Sequence, residues 1–415
     1  MEKVEGGFVP RYPDVQLYAD ILGAMNIWEG DGWREESMSW KTDCYIHAGL
    51  SSSPEFTYEG PDAQKLLSFC SINDCENWPI GMAKHLVMLD EEGIIENHGL
   101  AVRDANDRFR MFASPAWPMV VVEKMGLDYD FEFSSRAIFI FQIAGPKSRA
   151  VIEKVAGESI QDVTFLQTRP IGIPGIEEDV EVSRIGMTGN LAYELRGPQE
   201  ISAELFDMVY QAGREFGIKR LGWNTYLVNH VEGGFPQSNC MWTCPYWGKH
   251  TEFTGSIDPA DFRARYRTPF EVGWGWMAKF NHDFIGRAAL EAEAENQRRT
   301  IVTLRWNHDD VLDIFASLME PGEEYKPLEF PVSPHQLAGG HSDLVTKDGK
   351  NIGIESCLVY SYYYREFIAL ATIDIEEAQI GNEVVVHWGD YGHRIKEVRA
   401  IVDRFPYLDL TRNNA

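Results

Sequence analysis

The chain of 415 residues contains few cysteines and no long apolar run. Its six cysteines, at irregular spacings, do not form the disulfide framework of a small secreted domain. The longest apolar stretches, such as Ala137–Ile143, are far shorter than the roughly 20 residues of a membrane-spanning helix. The opening residues, MEKVEGGFVPRYPD, lack the apolar segment of a signal peptide. These absences predict a cytoplasmic protein without a membrane partner.

Positive charge is also scarce: the chain has 38 Lys and Arg residues and 64 Asp and Glu residues, which gives a net charge of −26. Such a surface repels phosphates, so we expect no nucleic-acid partner. The 22 Phe, 17 Tyr and 12 Trp residues need burial or a ligand, which excludes disorder for most of the chain. The length predicts more than one domain. The oligomeric state is not indicated.

Several common site motifs are missing. The chain has no Walker A sequence, no dinucleotide glycine fingerprint, no His-Glu-x-x-His and no Gly-x-Ser-x-Gly. Cys240 and Cys244 lie between His230 and His250, but no second cysteine pair completes a zinc site. The sequence therefore predicts buried thiols and no metal.

Hydrophobic periodicity predicts an α+β fold. Strands are expected at Ala137–Ala144, Val180–Ile185 and Ala192–Arg196, and an amphipathic helix at Glu200–Phe216. Residues 301–415 alternate short strand-like runs with Gly and Asp turns, which is typical of a small β-barrel. We therefore expect a core over residues 1–300, made of two interleaved subdomains, and a barrel domain over residues 301–415.

Four segments, in chain order, carry a family resemblance. They are DEEGIIENHGLAV (90–102), SRIGMTGNLAYELRGP (183–198), TPFEVGWGWMAKF with NHDFIGRAAL (268–290), and GKNIGIESCLVYSYYYREFIALATI (349–373). Together they resemble the aminomethyltransferase (glycine-cleavage T-protein) superfamily of tetrahydrofolate-dependent enzymes. The resemblance implies a T-protein-like folate-binding core of mixed and antiparallel sheets with helices, followed by a β-barrel, and tetrahydrofolate as the cofactor.

Glu194 is the predicted pterin contact. The pterin edge presents two parallel N–H donors, which one carboxylate matches with two hydrogen bonds. Glu194 follows a Gly-rich turn on a predicted strand, although it could also be an exposed strand residue or a partner of Arg184 or Arg196. Its neighbour Tyr193 and the aromatic Trp247 are further candidates for cofactor binding.

The first motif lacks the family's catalytic Asp, and His98 or Asn97 occupies that region. This departure argues against aminomethyl transfer. GWNTYLVNHVEGGFP (222–236) and SINDCENWPIGMAK (71–84) instead resemble the tetrahydrofolate-dependent O-demethylases of vanillate and syringate type. We nevertheless predict His98 to be a catalytic residue, because it occupies the region of the missing Asp.

In that branch the Tyr at the position of Tyr226 faces the methoxy oxygen. Transfer of a methyl group from an aryl ether to an amine develops negative charge on the phenolic oxygen. A hydroxyl with a pKa of about 10 can donate to that oxygen without being ionised beforehand. Tyr226 could also be a core aromatic residue.

The neighbours of Tyr226 depend on local structure. If the segment is a strand, His230 and Glu232 share its face; if it is a helix, Asn229 and His230 do. His230 is therefore predicted to be catalytic, and Asn229 and Glu232 to bind substrate. The branch also has an Arg that binds the substrate carboxylate; here Ala113 stands near that place, and Arg110 on the same strand is predicted to bind substrate.

These observations predict a methyltransferase that moves a methyl group from a lignin-derived methoxy-aromatic compound to tetrahydrofolate. The products are a phenol or catechol and 5-methyltetrahydrofolate. The alternatives are a sulfonium or methylated-amine demethylase, an aminomethyltransferase, and a non-catalytic folate-binding module.

Overall fold

The computed structural model describes residues 7–21, 24–51, 54–112, 115–238, 240–246, 248, 254–333 and 340–409. Within these ranges no helix is long and apolar enough to cross a membrane.

The described residues form strands and helices throughout the chain. The strands are β1 (Leu17–Ile21), β2 (Ala24–Glu29), β3 (Tyr45–His47), β4 (Pro54–Glu59), β5 (Ala83–Leu89), β6 (Ile95–Arg103), β7 (Arg108–Phe112), β8 (Glu132–Ala144), β9 (Thr168–Ile171), β10 (Val180–Ser183), β11 (Ala192–Pro198), β12 (Lys219–Arg220), β13 (Arg299–Trp306), β14 (Asp343–Lys347), β15 (Lys350–Ser361), β16 (Glu366–Asp374), β17 (Glu383–Trp388) and β18 (Lys396–Asp403). The helices are α1 (Trp33–Thr42), α2 (Ala63–Cys70), α3 (Trp117–Met125), α4 (Ser148–Ala156), α5 (Ser202–Gly213), α6 (Trp223–Gly233), α7 (Arg287–Glu295) and α8 (His308–Ser317).

The chain divides into two compact units. The first comprises residues 1–86, 97–226 and 410–415, and the second comprises residues 87–96 and 227–409. Helix α6 begins in the first unit and continues in the second.

The first unit is built on a ten-stranded sheet, in the order β5-β6-β7-β4-β8-β11-β10-β9, with β3 paired to β8 and β12 paired to β3. Strand β8 is its longest member, with 13 residues. The first half of β8 pairs with β4 and is exposed, and the second half pairs with β11 and β3 and is buried. One strand thus joins two parts of the sheet.

One face of the sheet around β8 supports the main core of the first unit. Phe141, Ile143, Tyr193 and Leu195 alternate along β8 and β11 and pack in one cluster with residues of α4 and α5. Alternation directs the intervening residues to the opposite face. We call that opposite face the site face.

The second unit contains a closed barrel in the order β13-β16-β15-β14-β17-β18. Its interior is apolar and includes Trp306, Val345, Trp388 and Val402. Closure leaves no unpaired strand edge, which is why strands as short as five residues suffice here.

The predicted α+β fold class with a C-terminal barrel is confirmed by this architecture. The predicted boundary at residue 300 stays a prediction. Helix α8 was not predicted, because its ten residues lie between a strand and the Pro- and Gly-rich segment 321–340.

Candidate functional site

Five buried polar residues form a row across the site face of the first unit. Strand register places His47 opposite Gln142, Gln142 opposite Glu194, Glu194 opposite Ser183, and Ser183 opposite Thr168. Directly opposed residues of antiparallel strands project on the same side of a sheet. We call these five residues the polar row. All are buried, which is unusual for a set of polar side chains without a ligand or a dense hydrogen-bond network.

Glu194 lies near the middle of the polar row with modest support from the protein. Gln142 Nε2 donates a hydrogen bond to its Oε1 at 3.4 Å, and Arg196 Nη1 lies 3.9 Å from its Oε2. Burial raises the pKa of the Glu194 carboxyl, and the positive charge of Arg196 opposes this shift only in part. The carboxylate therefore has acceptor capacity for further donors.

Three aromatic rings lie at the His47 end of the polar row. His47 stacks on Tyr226 with ring centroids 4.3 Å apart and an interplanar angle of 17°. Trp223 packs edge-on against both rings, at 5.7 Å from His47 and 5.0 Å from Tyr226. We call His47, Trp223 and Tyr226 the ring cluster. It connects the predicted catalytic Tyr to the row that contains the predicted pterin contact.

The ring cluster contains two buried nitrogens with no hydrogen-bond partner among the described residues: His47 Nε2 and Trp223 Nε1. His47 Nδ1 lies 2.9 Å from the carbonyl oxygen of Leu221, so it carries the proton and Nε2 is an acceptor. Burial lowers the pKa of His47 to about 4, which keeps the ring neutral at physiological pH. One acceptor and one donor are thus available beside Tyr226.

A buried carboxylate of α1 fixes the start of the helix that carries Tyr226. Glu36 accepts hydrogen bonds from the N–H groups of Gly30, Asp31 and Gly222, and from the hydroxyl of Thr225. The bonds from Gly222 and Thr225 lie at the N-terminus of α6, where an anion is also favoured by the helix dipole, and the other two come from the segment before α1. Burial raises the pKa of Glu36 to about 7 despite the four bonds.

His98 belongs to a histidine pair. Its Nδ1 lies 3.0 Å from His85 Nε2 across β5 and β6, and the two rings meet edge to face. Desolvation lowers the pKa of His85 to about 4 and that of His98 well below its ordinary value, so both rings are neutral. Asn97 is directed elsewhere, since its side chain donates to the carbonyl of Pro115 at 2.9 Å.

An apolar cluster lies between the histidine pair and the polar row. Phe112, Ile138 and Ile140 are buried there, and Leu100 packs against them. Leu100 is two residues from His98 on β6, so both project on the same side. The site face thus combines an apolar floor with polar groups at its margins, which is the composition of a small-molecule site.

Arg110 does not fit its predicted role as a substrate contact. Its five N–H donors are used by Asp104, Glu55 and Glu181, with distances of 2.7 to 3.1 Å for four of the five bonds. These bonds raise the pKa of Arg110, and no donor remains for a substrate carboxylate. A cleft of about 690 Å³ lies beside it, lined also by Arg196 and Glu181.

Two predicted cofactor contacts are placed differently from Glu194. Tyr193 lies in the main core on the face opposite the site face, because neighbouring strand residues alternate. Trp247 lies outside the described residues, as does Ala113.

The remaining predicted residues are Asn229, His230 and Glu232, which belong to the part of α6 in the second unit. Tyr226, Asn229 and His230 have helical spacing, so the helical alternative is the correct one. Asn229, His230 and Glu232 are fully buried. His230 packs edge-on against Phe235 at 5.9 Å, and Glu232 accepts a hydrogen bond from the Ser361 hydroxyl at 2.6 Å.

The expectation of buried thiols agrees with the structure, since all six cysteines are free and buried. Within the described ranges, no group of three or more His, Cys, Asp or Glu residues is arranged to hold a metal.

Sequence reasoning missed Gln142, Ser183 and Arg196. Gln142 did carry a signal, because it is the only polar residue in the apolar run AIFIFQIA. A polar side chain at a position with both neighbours buried needs a partner, and that requirement points to a site.

Comparison with known proteins gives consistent matches. The GCVT N-terminal domain matches residues 19–239. Sesamin methylene transferase of Sinomonas sp. (strain No.22) is 36% identical over 413 residues, covering 92% of this chain and 90% of the relative. Syringate O-demethylase of Sphingobium sp. (strain NBRC 103272 / SYK-6) is 27% identical over 423 residues, with the same shares covered.

Among solved structures, glycine cleavage system aminomethyltransferase T from Bartonella henselae matches with a TM-score of 0.71 at 16% identity, covering 96% of both chains. This likeness confirms the predicted T-protein-like fold. The family match over residues 19–239 and the relative at 36% identity go further. The chain therefore belongs to the GCVT family, the aminomethyltransferase superfamily that its four sequence motifs predicted.

Proposed function

We propose that this enzyme transfers the methyl group of an aromatic methyl ether to tetrahydrofolate and releases a phenol or catechol with 5-methyltetrahydrofolate. One observation carries the proposal: the polar row links Glu194, through Gln142 and His47, to the ring of Tyr226 on one side of one sheet. Adjacent strands are about 4.8 Å apart, so Glu194 and His47 are separated by about 10 Å. A bicyclic ring held by Glu194 would extend toward Tyr226.

The relatives support an enzyme of this kind. One is named for demethylating syringate and another for transferring a methylene group from sesamin. Both align with nearly the whole chain, so the similarity includes both units.

The residues present fit tetrahydrofolate. Its pterin edge has two N–H donors that match the acceptor capacity of the Glu194 carboxylate. The apolar floor of Phe112, Ile138 and Ile140 suits a flat ring system. When bound, tetrahydrofolate supplies the nitrogen that accepts the carbon.

Tyr226 is the proposed proton donor to the leaving phenolic oxygen. The bond that breaks is the ether O–CH₃ bond, and its electron pair goes to the oxygen, which then takes the Tyr226 proton. Stacking on His47 and the edge-on contact with Trp223 hold the Tyr226 ring in place, which favours reaction because it fixes the hydroxyl before the ether arrives.

A proton acceptor is also needed, because the nitrogen that gains the methyl group loses its hydrogen. We assign this role to His98, the predicted catalytic residue of β6, because its contact with His85 at 3.0 Å offers a path onward for the proton. The proton lost from nitrogen and the proton gained by oxygen balance, so the reaction needs no oxidant or reductant.

Methylene transfer is a second candidate, favoured by the relative at 36% identity. The donor would then be an arene whose two adjacent oxygens share one methylene carbon. Both C–O bonds of that carbon would break, and the two oxygens would take up the two protons lost from the two folate nitrogens that bind the carbon. The Tyr226 hydroxyl would donate to one of the departing oxygens, and the folate product would carry a methylene group in place of a methyl group.

A donor screen tests both candidates. Vanillate, syringate, guaiacol, a methylenedioxy-arene and dimethylsulfoniopropionate are offered with and without tetrahydrofolate, and both products are measured by mass spectrometry. We expect folate-dependent loss of one carbon from an aromatic ether, reduced about 100-fold or more by Tyr226→Phe.

Tyr58→Phe is the matched control. Tyr58 is also buried, and its hydroxyl has no hydrogen-bond partner among the described residues, so removing that hydroxyl should leave turnover unchanged. Turnover of the sulfonium alone, or full activity in Tyr226→Phe, would contradict the proposal.

A further inference from the structure

Arg196 is a buried cation whose hydrogen bonds are incomplete. It lies on β11 two residues after Glu194 and is 1% exposed. Its Nη2 donates to the hydroxyls of Ser183 and Thr168. Its Nε and Nη1 have no hydrogen-bond partner among the described residues.

The guanidinium is nevertheless held firmly. Its central carbon lies 4.2 Å from the ring centroid of Phe112, which supports it from one side. Ser183 and Thr168 are themselves joined at 2.6 Å, so the acceptors of Nη2 are fixed. The guanidinium is therefore held in one orientation by the fold, and its Nη1 points in a fixed direction.

That direction includes Glu194. Arg196 Nη1 is 3.9 Å from Glu194 Oε2, too long for a hydrogen bond but close enough to place the two groups side by side. Both residues are on the site face, since they are two apart on one strand. A carboxylate and a guanidinium in this arrangement present acceptors next to donors.

This order of groups matches the pterin edge. The 2-amino group and N3–H of a pterin are donors, and the 4-carbonyl beside N3 is an acceptor. We propose that Arg196 donates a hydrogen bond to the pterin 4-carbonyl while Glu194 accepts from the 2-amino group and N3–H. The inference rests on the proposed folate-dependent function and adds a second pterin-reading residue to it.

The pairing explains why the donors of Arg196 are left incomplete within the protein. Burying a polar donor without a partner is destabilising, so such groups persist mainly where a ligand completes them. Arg110 is the contrasting case on the same face, because its donors are satisfied by three carboxylates of the chain.

The test measures binding and the state of the carbonyl, not turnover. 5-Methyltetrahydrofolate labelled with ¹³C at position 4 is bound to the full-length wild type and to Arg196→Met, Arg196→Lys and Arg136→Gln. Affinity is read by tryptophan fluorescence, and the carbonyl stretch by isotope-edited infrared spectroscopy. Arg136 is an exposed arginine of β8 that bonds Glu55, so its variant controls for loss of one positive charge.

We expect the bound carbonyl to absorb at lower frequency in the wild type and Arg136→Gln than in Arg196→Met. Affinity should fall at least about tenfold in Arg196→Met, since a hydrogen bond from a charged donor is lost. Arg196→Lys keeps the buried charge and a donor, so it should retain part of the frequency shift even if the Met variant does not fold.

Two outcomes would overturn the inference. If folate binds and the carbonyl frequency is the same in the wild type and both Arg196 variants, Arg196 does not contact the carbonyl, while the proposed function stands. If the wild type binds no folate, the proposed function fails together with this inference.

Discussion

The buried carboxylate of Glu36 leads to a prediction about pH. It accepts bonds from three backbone N–H groups and from the Thr225 hydroxyl, and it holds the start of α6. The variant Glu36→Gln preserves size but replaces one acceptor oxygen by an NH₂ group that faces other donors. We expect a cost of about 1–3 kcal/mol in the free energy of unfolding at low pH, where Glu36 is also neutral.

The cost should decrease as the pH rises. The pKa of Glu36 is about 7 in the folded protein and near 4.5 when unfolded. A raised pKa in the folded state contributes stability that is complete below pH 4.5 and is lost as the pH rises through 7, in total about 3 kcal/mol. A glutamine has no such dependence. The wild-type advantage should therefore shrink by about 2 kcal/mol between pH 5.5 and pH 8.

Urea denaturation at pH 5.5, 6.5, 7.5 and 8 measures this difference for the wild type, Glu36→Gln and the control Glu35→Gln. Glu35 is exposed on the same helix, so its variant should follow the wild type at every pH. A difference between the wild type and Glu36→Gln that stays constant, or grows with pH, would refute the reasoning.

Three further predictions concern the first unit. Burial lowers the pKa of His47 from 6.5 to about 4. The neutral ring therefore contributes about 3 kcal/mol to the free energy of unfolding above pH 6.5, and this contribution is lost as the pH falls to 4. His47→Gln should flatten that part of the stability profile, which urea denaturation measures. Gly49→Ala should displace the His47 ring, because the added Cβ would lie 2.2 Å from its Nε2; lower turnover with near-normal folate affinity is expected, and unchanged turnover would contradict it. Arg110→Gln should cost about 3–5 kcal/mol because it removes the buried cation that Glu55, Asp104 and Glu181 share, whereas the exposed Arg108→Gln should cost less than about 1 kcal/mol; equal thermal shifts for both would disprove this.

Much of the fold could be read from the sequence because strand and helix periodicity is a local property. Val180–Ile185 and Ala192–Arg196 were predicted within two residues of β10 and β11. The local structure of residues 222–236 was less certain, since buried positions on all sides of a helix remove the amphipathic pattern. Residues 223–233 of that segment are helical, and the packing of Tyr226 on His47 depends on a strand about 180 residues earlier in the chain.

The candidate site was predicted only where motifs or chemistry single out a residue. Glu194 and Tyr226 were predicted in this way, and the structure connects them through the polar row and the stacking of Tyr226 on His47; their roles stay predictions. Arg110 was predicted to bind substrate from its place on a strand, but its partners Glu55 and Glu181 come from distant segments that no local pattern reveals. Arg196 was weighed only as a partner of Glu194, because incomplete hydrogen bonding becomes visible only in three dimensions.

The two halves of strand β8 have a consequence for how the cleft could be varied. Its buried half, residues 138–144, carries Gln142 and part of the apolar floor, whereas its exposed half, residues 132–137, carries Arg136 at the wall of the cleft. Substitutions in the exposed half alter the cleft without replacing a residue of the polar row or changing the strand pairs of the buried half, because the two halves pair with different strands. A library of variants confined to residues 132–137 would therefore change side chains at the cleft and keep the residues of the polar row constant. Amide hydrogen exchange along β8 would report whether the two halves of this strand open independently.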